Sequence, residues 1–357
     1  MMAESTEIIN PERLAEDFST GLLQLSEIHV SRWRNEGYLL LDGVFSSTSI
    51  QAALEDIKHI QMSKKDAEEF EVGDGKTFPT SYSGLDTLTL DSGFVNAITQ
   101  LLGVCDIRMS QAETWKKVAL TAENGKDNTF SNQDQRMHMD FPNHTLVHPP
   151  LWDSPEAVAV IIYLSEGKEC GGATRVVPKQ SYGENGDELY QWPYFNMPGI
   201  GEIPWKNDRA SVEAYLHEHH PEVASFREKL YAREKEITYS PGTVLFYRHD
   251  LWHRGTPLLA GAERFVQNLV FKKAQCDWVN NWNRGTAYSM YSRDQYVEKM
   301  IARMSVQQRS CLGFPPPGSA YWTEQTVEAV QRRYGVFGMD ITPYAEGLAH
   351  TKSSTIL

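Results

Sequence analysis

Residues Ser240–Phe265, SPGTVLFYRHDLWHRGTPLLAGAERF, carry the clearest structural signals in the chain. A Pro-Gly pair, typical of a turn, is followed directly by the β-rich run Thr243–Tyr247. Glycine and proline then interrupt the pattern before a second strand that we expect to begin at Arg264. The pattern predicts two strands joined by a bend, with His253 at the far end of the first strand.

The only His-x-Asp sequence of the chain lies upstream of this segment, at His138-Met139-Asp140. Side chains two residues apart on a strand project from the same face, so His138 and Asp140 can bind one ion together. With His253 they complete the 2-His-1-carboxylate set that holds non-haem iron(II). The pair alone is a weak signal, because the chain has 11 histidines. The turns and strands predicted around these three residues make the hypothesis of a metal site more specific than the pair alone.

Arg264 supplies a second chemical signal. A 2-His-1-carboxylate site leaves three positions on the metal for a bidentate 2-oxo acid and dioxygen. Such an acid has a second, distant carboxylate, which the forked donors of a guanidinium group fit well. Arg264 follows His253 on the returning strand and is placed for this role, whereas an ion pair with Glu263 is the alternative interpretation.

Composition limits the classes of partner. The chain has 357 residues, 41% of them hydrophobic, which suffices for one large domain or two with a real core. The formal net charge of −13 argues against general binding to nucleic acid or to an anionic membrane. We therefore expect a small-molecule substrate and neither nucleic acid nor membrane as a partner.

The chain has 4 cysteines and no Cys-x-x-Cys pair, which indicates a reducing environment without a disulfide scaffold. The acidic start, MMAESTE, is unlike a signal peptide, and the end, SSTIL, is not the peroxisomal Ser-Lys-Leu address. The longest apolar run, Ala157–Leu164, is too short to span a bilayer. A cytoplasmic location is the expectation.

The order of patterns along the chain predicts its organisation. We expect a loosely ordered lead-in at residues 1–24, a β-rich domain at 25–275, and a helical extension at 276–357 that packs on the same domain. Within the β-rich domain, residues 180–236 form an insertion that is first aromatic and rich in Gly and Pro, then charged and helix-like. Because long loops inside compact domains are usually functional, the insertion is interpreted as a possible substrate lid.

From Ser26 to about Lys272 the chain resembles the phytanoyl-CoA dioxygenase family of Fe(II)/2-oxoglutarate-dependent oxygenases. The resemblance covers roughly two thirds of the chain, and the order of the motifs is more specific than any one of them. The matching pieces are Asn35–Phe45 (NEGYLLLDGVF), His138-Met-Asp140, Gly171–Pro178 (GGATRVVP), Pro241-Gly242, Leu251–Pro257 (LWHRGTP) and Arg264.

The resemblance implies a mostly β fold with flanking helices, built on a double-stranded β-helix (jelly-roll, cupin-like) core. It implies Fe(2+) held by His138, Asp140 and His253, and Arg264 as the anchor of the C5 carboxylate of 2-oxoglutarate. The implied reaction is hydroxylation or desaturation of a small organic molecule with O2, which releases succinate and CO2. Related halogenases replace the carboxylate ligand with a small residue, so Asp140 favours hydroxylation or desaturation.

Two co-substrate contacts are less well defined by the resemblance. Relatives often have a small hydroxyl residue two positions after the second histidine, where this chain has Gly255; Thr256 is the candidate substitute. Relatives can also use a lysine on the strand before His-x-Asp, and Lys116 and Lys117 compete for this match. We take Lys116 as the candidate and leave Lys117 open.

Other interpretations remain beside these. His249 could replace His253 as a ligand, although the Trp-His-Arg-Gly match favours His253. His217-Glu-His-His220 looks metal-binding, but Pro221 stands where a His-Glu-x-x-His helix needs its second histidine, so a solvated helix face is expected. At the level of function, a cupin-type metal-dependent isomerase or hydrolase and a non-catalytic ligand-binding relative are the alternatives. The sequence leaves the substrate and the oligomeric state open.

Overall fold

The fold is described from a computed structural model, which covers residues 6–14, 23–60, 76–119, 134–140, 145–147, 154–180, 186–190, 209–279 and 296–353. Eleven strands lie within these residues and form two sheets. They are β1 (Glu7–Ile9), β2 (Glu12–Arg13), β3 (Tyr38–Asp42), β4 (Lys76–Thr77), β5 (Ile107–Val118), β6 (Ala157–Tyr163), β7 (Thr174–Val176), β8 (Lys235–Ile237), β9 (Val244–Tyr247), β10 (His253–Gly255) and β11 (Glu263–Lys273).

The larger sheet has the order β2-β3-β9-β6-β11-β5-β4, and the smaller sheet has the order β1-β8-β7-β10. The segment 134–140 extends the smaller sheet beyond β10 through an antiparallel bridge between His138 and His253. Alternation along β11 assigns its two faces. Val266 and Val270 join the core inside the two sheets, whereas Leu269 and Phe271 join a second core under the helices. The expected mostly β architecture with flanking helices is present.

Eleven α-helices lie within the described residues, and the first four cover the outer face of the larger sheet. They are α1 (Glu27–Glu36), α2 (Ser47–Lys58), α3 (Ser83–Thr89), α4 (Ser92–Leu102), α5 (Gly167–Cys170), α6 (Arg209–His219), α7 (Pro221–Arg233), α8 (Tyr296–Arg303), α9 (Val306–Cys311), α10 (Glu324–Tyr334) and α11 (Thr342–Ser353). Ser26 caps α1 and Gly37, at φ 89°, ends it, so the chain turns directly into β3.

The N-terminal residues are more ordered than the sequence predicts. Within the described part, β1 pairs in parallel with β8 and β2 pairs in parallel with β3. Glu12 accepts hydrogen bonds from His29 and Arg32 of α1, which adds side-chain links to the backbone pairing. The expected loose lead-in is therefore wrong for residues 6–14, because their backbone groups pair with strands that sequence patterns cannot connect to them. Residues 1–5 and 15–22 lie outside the described residues.

The C-terminal helices pack against the segment that follows the His-x-Asp pair. Leu146 and Val147 lie in one apolar cluster with residues of α8, α10 and α11. Arg333 donates to the carbonyl of Thr145 at 2.6 Å, and Tyr334 donates to the carbonyl of Leu146 at 2.7 Å. These contacts attach the helices to the β-rich part of the chain.

Only part of the insertion at 180–236 is described. Residues 181–185 and 191–208, which include most of its aromatic side chains, lie outside the described residues. Helix α7 packs on the core of the smaller sheet through Phe226 and Leu230, and α6 packs on α7. Within the described residues, no helix is both long and apolar enough to cross a membrane.

Asp187 joins the first part of the insertion to α7 and gives the fold a pH-dependent contact. Both of its oxygens accept hydrogen bonds from Arg233, each at 2.7 Å. Burial alone would raise the pKa of the Asp187 carboxyl, but hydrogen bonds from Arg233 and from the backbone N–H groups of Gln180 and Leu189 outweigh it. The pKa therefore lies below its usual 3.8.

We expect Asp187→Asn to destabilise the protein by about 1.5–3 kcal/mol near neutral pH, the range for hydrogen bonds to charged groups. Since the pKa is lower in the folded state, this stabilisation is complete above the unfolded pKa near 3.8 and is lost as the pH falls through the folded value. Urea unfolding of both proteins at neutral and at acid pH measures the difference. A difference that does not shrink in acid would contradict the assignment.

Candidate metal centre

Three buried side chains converge between the two ligand-bearing segments. His138 and Asp140 come from the segment 134–140, and His253 begins β10. Nε2 of His138 lies 3.7 Å from Oδ1 of Asp140, and Nε2 of His253 lies 3.5 Å from Oδ2. Reciprocal backbone hydrogen bonds of 3.0 and 2.9 Å between His138 and His253 fix the two segments side by side. The structure thus brings together the three residues that the sequence singled out.

The orientation of both imidazole rings is set by the backbone. Nδ1 of His138 lies 3.0 Å from the carbonyl of Arg136, and Nδ1 of His253 lies 2.9 Å from the carbonyl of Leu251. A carbonyl only accepts, so Nδ1 carries the proton in both rings and Nε2 keeps its lone pair. Both lone pairs therefore lie on the side of Asp140, as a shared metal ion requires.

The arrangement fits a metal ion. One ligand atom from each residue can be chosen so that all three lie within 4.8 Å of one another, and the described residues contain no second group of this kind. Two neutral imidazoles and one carboxylate on one face are the donor set of non-haem iron(II) sites. The geometry supports the predicted set, with one face left to ligands other than protein.

Tyr247 holds the carboxylate in place. Its hydroxyl donates to Oδ2 of Asp140 at 2.6 Å, and its ring packs edge-on against His253 with 5.0 Å between centroids. Partners of this kind keep a metal-binding carboxylate in one rotamer and tune its donor strength.

We expect Tyr247→Phe to weaken metal binding by about 10- to 100-fold, the usual effect of losing such a partner. Anaerobic titration with Fe(II) measures the dissociation constant. Tyr344→Phe is the matched control, because Tyr344 is also buried but lies in the C-terminal apolar cluster. Equal affinities of wild type and Tyr247→Phe would show that the hydroxyl does not support the metal.

The three residues line a cavity of about 90 Å³ between the sheets. Since one water needs roughly 10–15 Å³ of such space, the cavity can hold several heavy atoms of a ligand. Its other lining residues are Lys117, Gln135, Ile161, Tyr163, Thr174, Tyr247, Gly255, Arg264, Val266 and Asn268. Polar side chains predominate, so the cavity is suited to a charged or hydrogen-bonding molecule.

Arg264 is a cation of this cavity, and the described residues leave two of its nitrogen atoms without a hydrogen-bond partner. The residue is 4% exposed, and its Nε and Nη1 atoms have no hydrogen-bond partner in the described part of the chain. Burial raises the pKa of the neighbouring Tyr163 to about 12, although the positive charge of Arg264 partly opposes this. Tyr163 thus stays neutral and supplies no counter-charge. A buried guanidinium without an acid is costly, so the site favours an anionic ligand.

Gly172 leaves room for the guanidinium group of Arg264. A Cβ atom at this position would lie 3.1 Å from Nη1 of Arg264 and 2.5 Å from Cδ2 of Leu258. The backbone also has φ +66°, which side chains disfavour. The Gly-Gly pair that opens the Gly171–Pro178 motif therefore shapes the wall beside Arg264.

A family model for phytanoyl-CoA dioxygenase matches residues 33–266, which is more than half of the 357 residues. The chain belongs to the phytanoyl-CoA dioxygenase family. This membership, together with the two facing sheets, confirms the predicted double-stranded β-helix core. No curated protein matches the sequence.

Several solved structures are similar to this chain. The alpha-ketoglutarate-dependent epimerase SnoN from nogalamycin biosynthesis is 12% identical, with 70% of this chain and 80% of that chain covered and a TM-score of 0.44. HygX from Streptomyces hygroscopicus with nickel and 2-oxoglutarate bound is 13% identical, with 70% and 88% covered and a TM-score of 0.46. EctD from S. alaskensis is 14% identical, with 75% and 82% covered and a TM-score of 0.41. At these values, no reaction or substrate of this chain follows from the likeness.

As a member of the phytanoyl-CoA dioxygenase family, the protein is an Fe(II)- and 2-oxoglutarate-dependent enzyme that acts on a small molecule, with O2 as a further co-substrate. The donor set of His138, Asp140 and His253 fits the iron, and the buried guanidinium of Arg264, with two nitrogen atoms left without a partner among the described residues, fits the 2-oxoglutarate. The three metal-binding residues and Arg264 line the same cavity.

The structure places Lys117, and not Lys116, at the cavity. Lys117 pairs across the sheet with Arg264, so both side chains lie on the inner face. Lys116 pairs with Phe265 on the opposite face, and its Nζ forms an ion pair of 2.8 Å with Glu263. The choice of Lys116 therefore needs correction, because strand alternation turns it away from the co-substrate side.

Thr256 does not line the cavity either. Its hydroxyl donates to the carbonyl of Ala173 at 2.9 Å and helps to hold β10 against the turn before β7. The lining residues with a hydroxyl group are Tyr163, Thr174 and Tyr247, and the hydroxyls of Tyr163 and Thr174 hydrogen-bond to each other at 2.6 Å. The predicted role of Thr256 as a co-substrate contact thus has no support in its position.

The competing histidines lie elsewhere. His249 is not in the metal-binding group; its carbonyl accepts a hydrogen bond of 3.0 Å from the backbone N–H of Asp140. His217 and His219 are exposed on α6 and lie near Glu228 and Glu218, as expected of a solvated helix face.

Sequence reasoning missed Tyr247 and Asn268 as residues of the site. Asn268 lies four residues after Arg264 on the same face of β11, and its Oδ1 has no hydrogen-bond partner in the described part of the chain. Strand alternation counted from Arg264 would have found Asn268. No comparable signal pointed to Tyr247, whose contact with Asp140 joins residues 107 positions apart.

Proposed function

We propose that the protein is a 2-oxoglutarate-dependent dioxygenase that hydroxylates, or desaturates, a small organic molecule. The observation that carries this proposal is the presence of two complementary elements in one cavity. These are the facial set of His138, Asp140 and His253, and the buried guanidinium of Arg264, whose Nε and Nη1 find no partner among the described residues.

In this proposal, His138 and His253 bind iron through Nε2 and Asp140 binds it through a carboxylate oxygen. The backbone carbonyls that accept from Nδ1 keep both rings in the required tautomer. When bound, the iron supplies the activation of O2, which is coupled to conversion of 2-oxoglutarate to succinate and CO2 and to oxidation of a C–H bond.

Arg264 would bind the C5 carboxylate of 2-oxoglutarate with its forked N–H donors. Its burial strengthens this attraction, because the walls of the cavity keep water from screening the charges. Asp140 occupies the ligand position that halogenases leave to halide, so hydroxylation or desaturation is the better-supported outcome.

The remaining assignments extend the proposal beyond the site. We assign the catalytic domain to residues 25–275, the helical extension to 276–357, and a substrate lid to the insertion at 180–236. A cytoplasmic location agrees with the composition. A cupin-type isomerase or hydrolase is the alternative function, but it would leave the buried charge of Arg264 without a use.

The test is succinate formation from 2-oxoglutarate by protein loaded anaerobically with Fe(II) and then exposed to air. We expect slow turnover even without added substrate, lost when iron is omitted and lost in His253→Ala. His219→Ala is the matched control, because His219 is exposed on α6. Turnover that survives in His253→Ala would disprove the site, and iron binding without any response to 2-oxoglutarate would favour the cupin-type alternative.

A further inference from the structure

The segment that carries His138 and Asp140 has only one neighbouring strand among the described residues. Residues 135 and 138 exchange hydrogen bonds with β10. Backbone groups of successive residues on a strand point to opposite sides, so those of Met137, which precedes His138, point away from β10. On this side a sheet edge would be open, and unpaired buried backbone groups are costly.

Side chains from the insertion satisfy this edge. The backbone N–H of Met137 donates to the hydroxyl of Tyr231 at 3.0 Å, and the carbonyl of Met137 accepts from Nη2 of Arg227 at 3.1 Å. Tyr231 and Arg227 stand one turn apart on α7, so two side chains of one helix replace a neighbouring strand. Met137 directly precedes His138.

Glu213 of α6 connects the Tyr231 hydroxyl with the Arg227 guanidinium. Its Oε1 accepts from the Tyr231 hydroxyl at 2.6 Å and from Nη2 of Arg227 at 2.6 Å, and Nε of Arg227 also donates to this carboxylate. The side chain of Arg227 is 0% exposed and that of Glu213 is 17% exposed. Burial and the charge of Glu213 keep Tyr231 protonated by raising its pKa, so the hydroxyl remains a donor to Glu213 while accepting from Met137.

A second link reaches the other ligand-bearing strand. Arg209 of α6 and Arg254 of β10 both donate to Asp134, which begins the segment 134–140. Arg254, which directly follows His253, also donates twice to Glu234 just after α7, at 2.6 and 2.8 Å. The guanidinium of Arg209 lies 4.0 Å from the centre of the Tyr231 ring. The same insertion therefore touches both segments that supply metal ligands.

We propose that Tyr231, with Arg227 and Glu213, positions the metal-binding strand from outside, so that the described helices of the insertion determine metal affinity. The three residues do not line the cavity and act through the backbone of Met137. The inference rests on the proposed function, because it takes His138, Asp140 and His253 as the metal ligands. In this inference, α6 and α7 support the metal-binding strand, which is a role different from covering substrate.

The experiment compares Mn(II) binding to Tyr231→Phe and to wild type, followed by the electron paramagnetic resonance signal of free Mn(II). Phenylalanine removes one hydroxyl and keeps the ring between the arginines. Glu213→Gln is the second variant, because it keeps the shape of the carboxylate but removes its charge. Tyr215→Phe is the matched control, since the ring of Tyr215 packs on His219 and His220 at the end of α6.

We expect the Mn(II) dissociation constant of Tyr231→Phe to rise about 10-fold, within the range for indirect metal supports. Hydrogen exchange of the Met137 N–H should accelerate in the metal-free protein, and Tyr215→Phe should change neither value. The absorption band of the anaerobic Fe(II)–2-oxoglutarate complex should also shift in Tyr231→Phe.

A purely structural role predicts a lower melting temperature but an unchanged dissociation constant and an unchanged absorption band well below that temperature. That result in both Tyr231→Phe and Glu213→Gln would overturn the inference while leaving the proposed function intact. Absence of Mn(II) and Fe(II) binding in the wild type would instead disprove the proposed function.

Discussion

Asp140→Ala is expected to abolish metal binding and with it all succinate formation. The substitution removes the one charged ligand of the site, and its effect should exceed the ~100-fold that loss of an outer partner can cost. The fold should persist, because the backbone N–H of Asp140 keeps its hydrogen bond of 3.0 Å to the carbonyl of His249. The expected defect therefore lies in the metal site and not in folding.

Thermal unfolding with and without Mn(II) measures this effect independently of catalysis. A ligand at 100 times its dissociation constant stabilises the folded state by about 2.7 kcal/mol, so Mn(II) should raise the melting temperature of the wild type. It should not raise that of Asp140→Ala. The control is Asp106→Ala, because Asp106 is an exposed carboxylate that pairs with Arg108. Metal-dependent stabilisation of Asp140→Ala would show that another group binds the ion.

Arg264→Met is expected to impair 2-oxoglutarate binding while leaving metal binding intact. Truncating one partner of a buried, hydrogen-bonded charge pair costs about 2–5 kcal/mol, which corresponds to roughly 30-fold to several thousand-fold in affinity. Arg264→Lys should recover only part of this loss, because an ammonium group lacks the planar fork that matches a carboxylate. The dissociation constant of 2-oxoglutarate for Mn(II)-loaded protein is the measurement.

The same substitution should not destabilise the protein in the absence of 2-oxoglutarate. Arg264 is buried beside Tyr163 and Tyr239, and its Nε and Nη1 have no partner in the described part of the chain. Since a buried unsatisfied group costs about 1–3 kcal/mol, methionine should be neutral or stabilising in the free protein.

In Arg264→Met, the affinity for 2-oxoglutarate should therefore fall while the stability of the free protein stays equal or rises. Denaturant unfolding with and without 2-oxoglutarate tests this. Arg108→Met is the control, because Arg108 is an exposed arginine on β5. Two results would contradict the assignment: unchanged 2-oxoglutarate affinity in Arg264→Met, or a large loss of stability in the free protein.

Local patterns predicted much of the fold. Ser26 caps the start of α1 and Gly37 ends it, and Asp91 caps the start of α4 and Gly103 ends it. The continuous apolar run at Ala157–Tyr163 is a buried strand of the larger sheet. These features depend on capping, backbone freedom and apolar periodicity, which act within a few residues and can be read from the sequence.

The residues around the metal-binding group were less predictable. Lys117 and Lys116 are adjacent, so the choice between them depends on the register of β5 against β11, which places Lys117 opposite Arg264. No turn connects these two strands, so no local signal defines their register. The loose lead-in expected for residues 6–14 was wrong for the same reason, since their pairing partners are distant in sequence.

The sequence by itself determined which chemical groups the protein brings to its site: two histidines, one carboxylate and one arginine, in an order and spacing that strand alternation converts into shared faces. Only the tertiary structure decided what holds these groups in place. Tyr231 contacts Met137 across 94 residues, and Tyr247 contacts Asp140 across 107. Such contacts arise because buried polar groups must find partners wherever packing brings them, and packing depends on the whole chain.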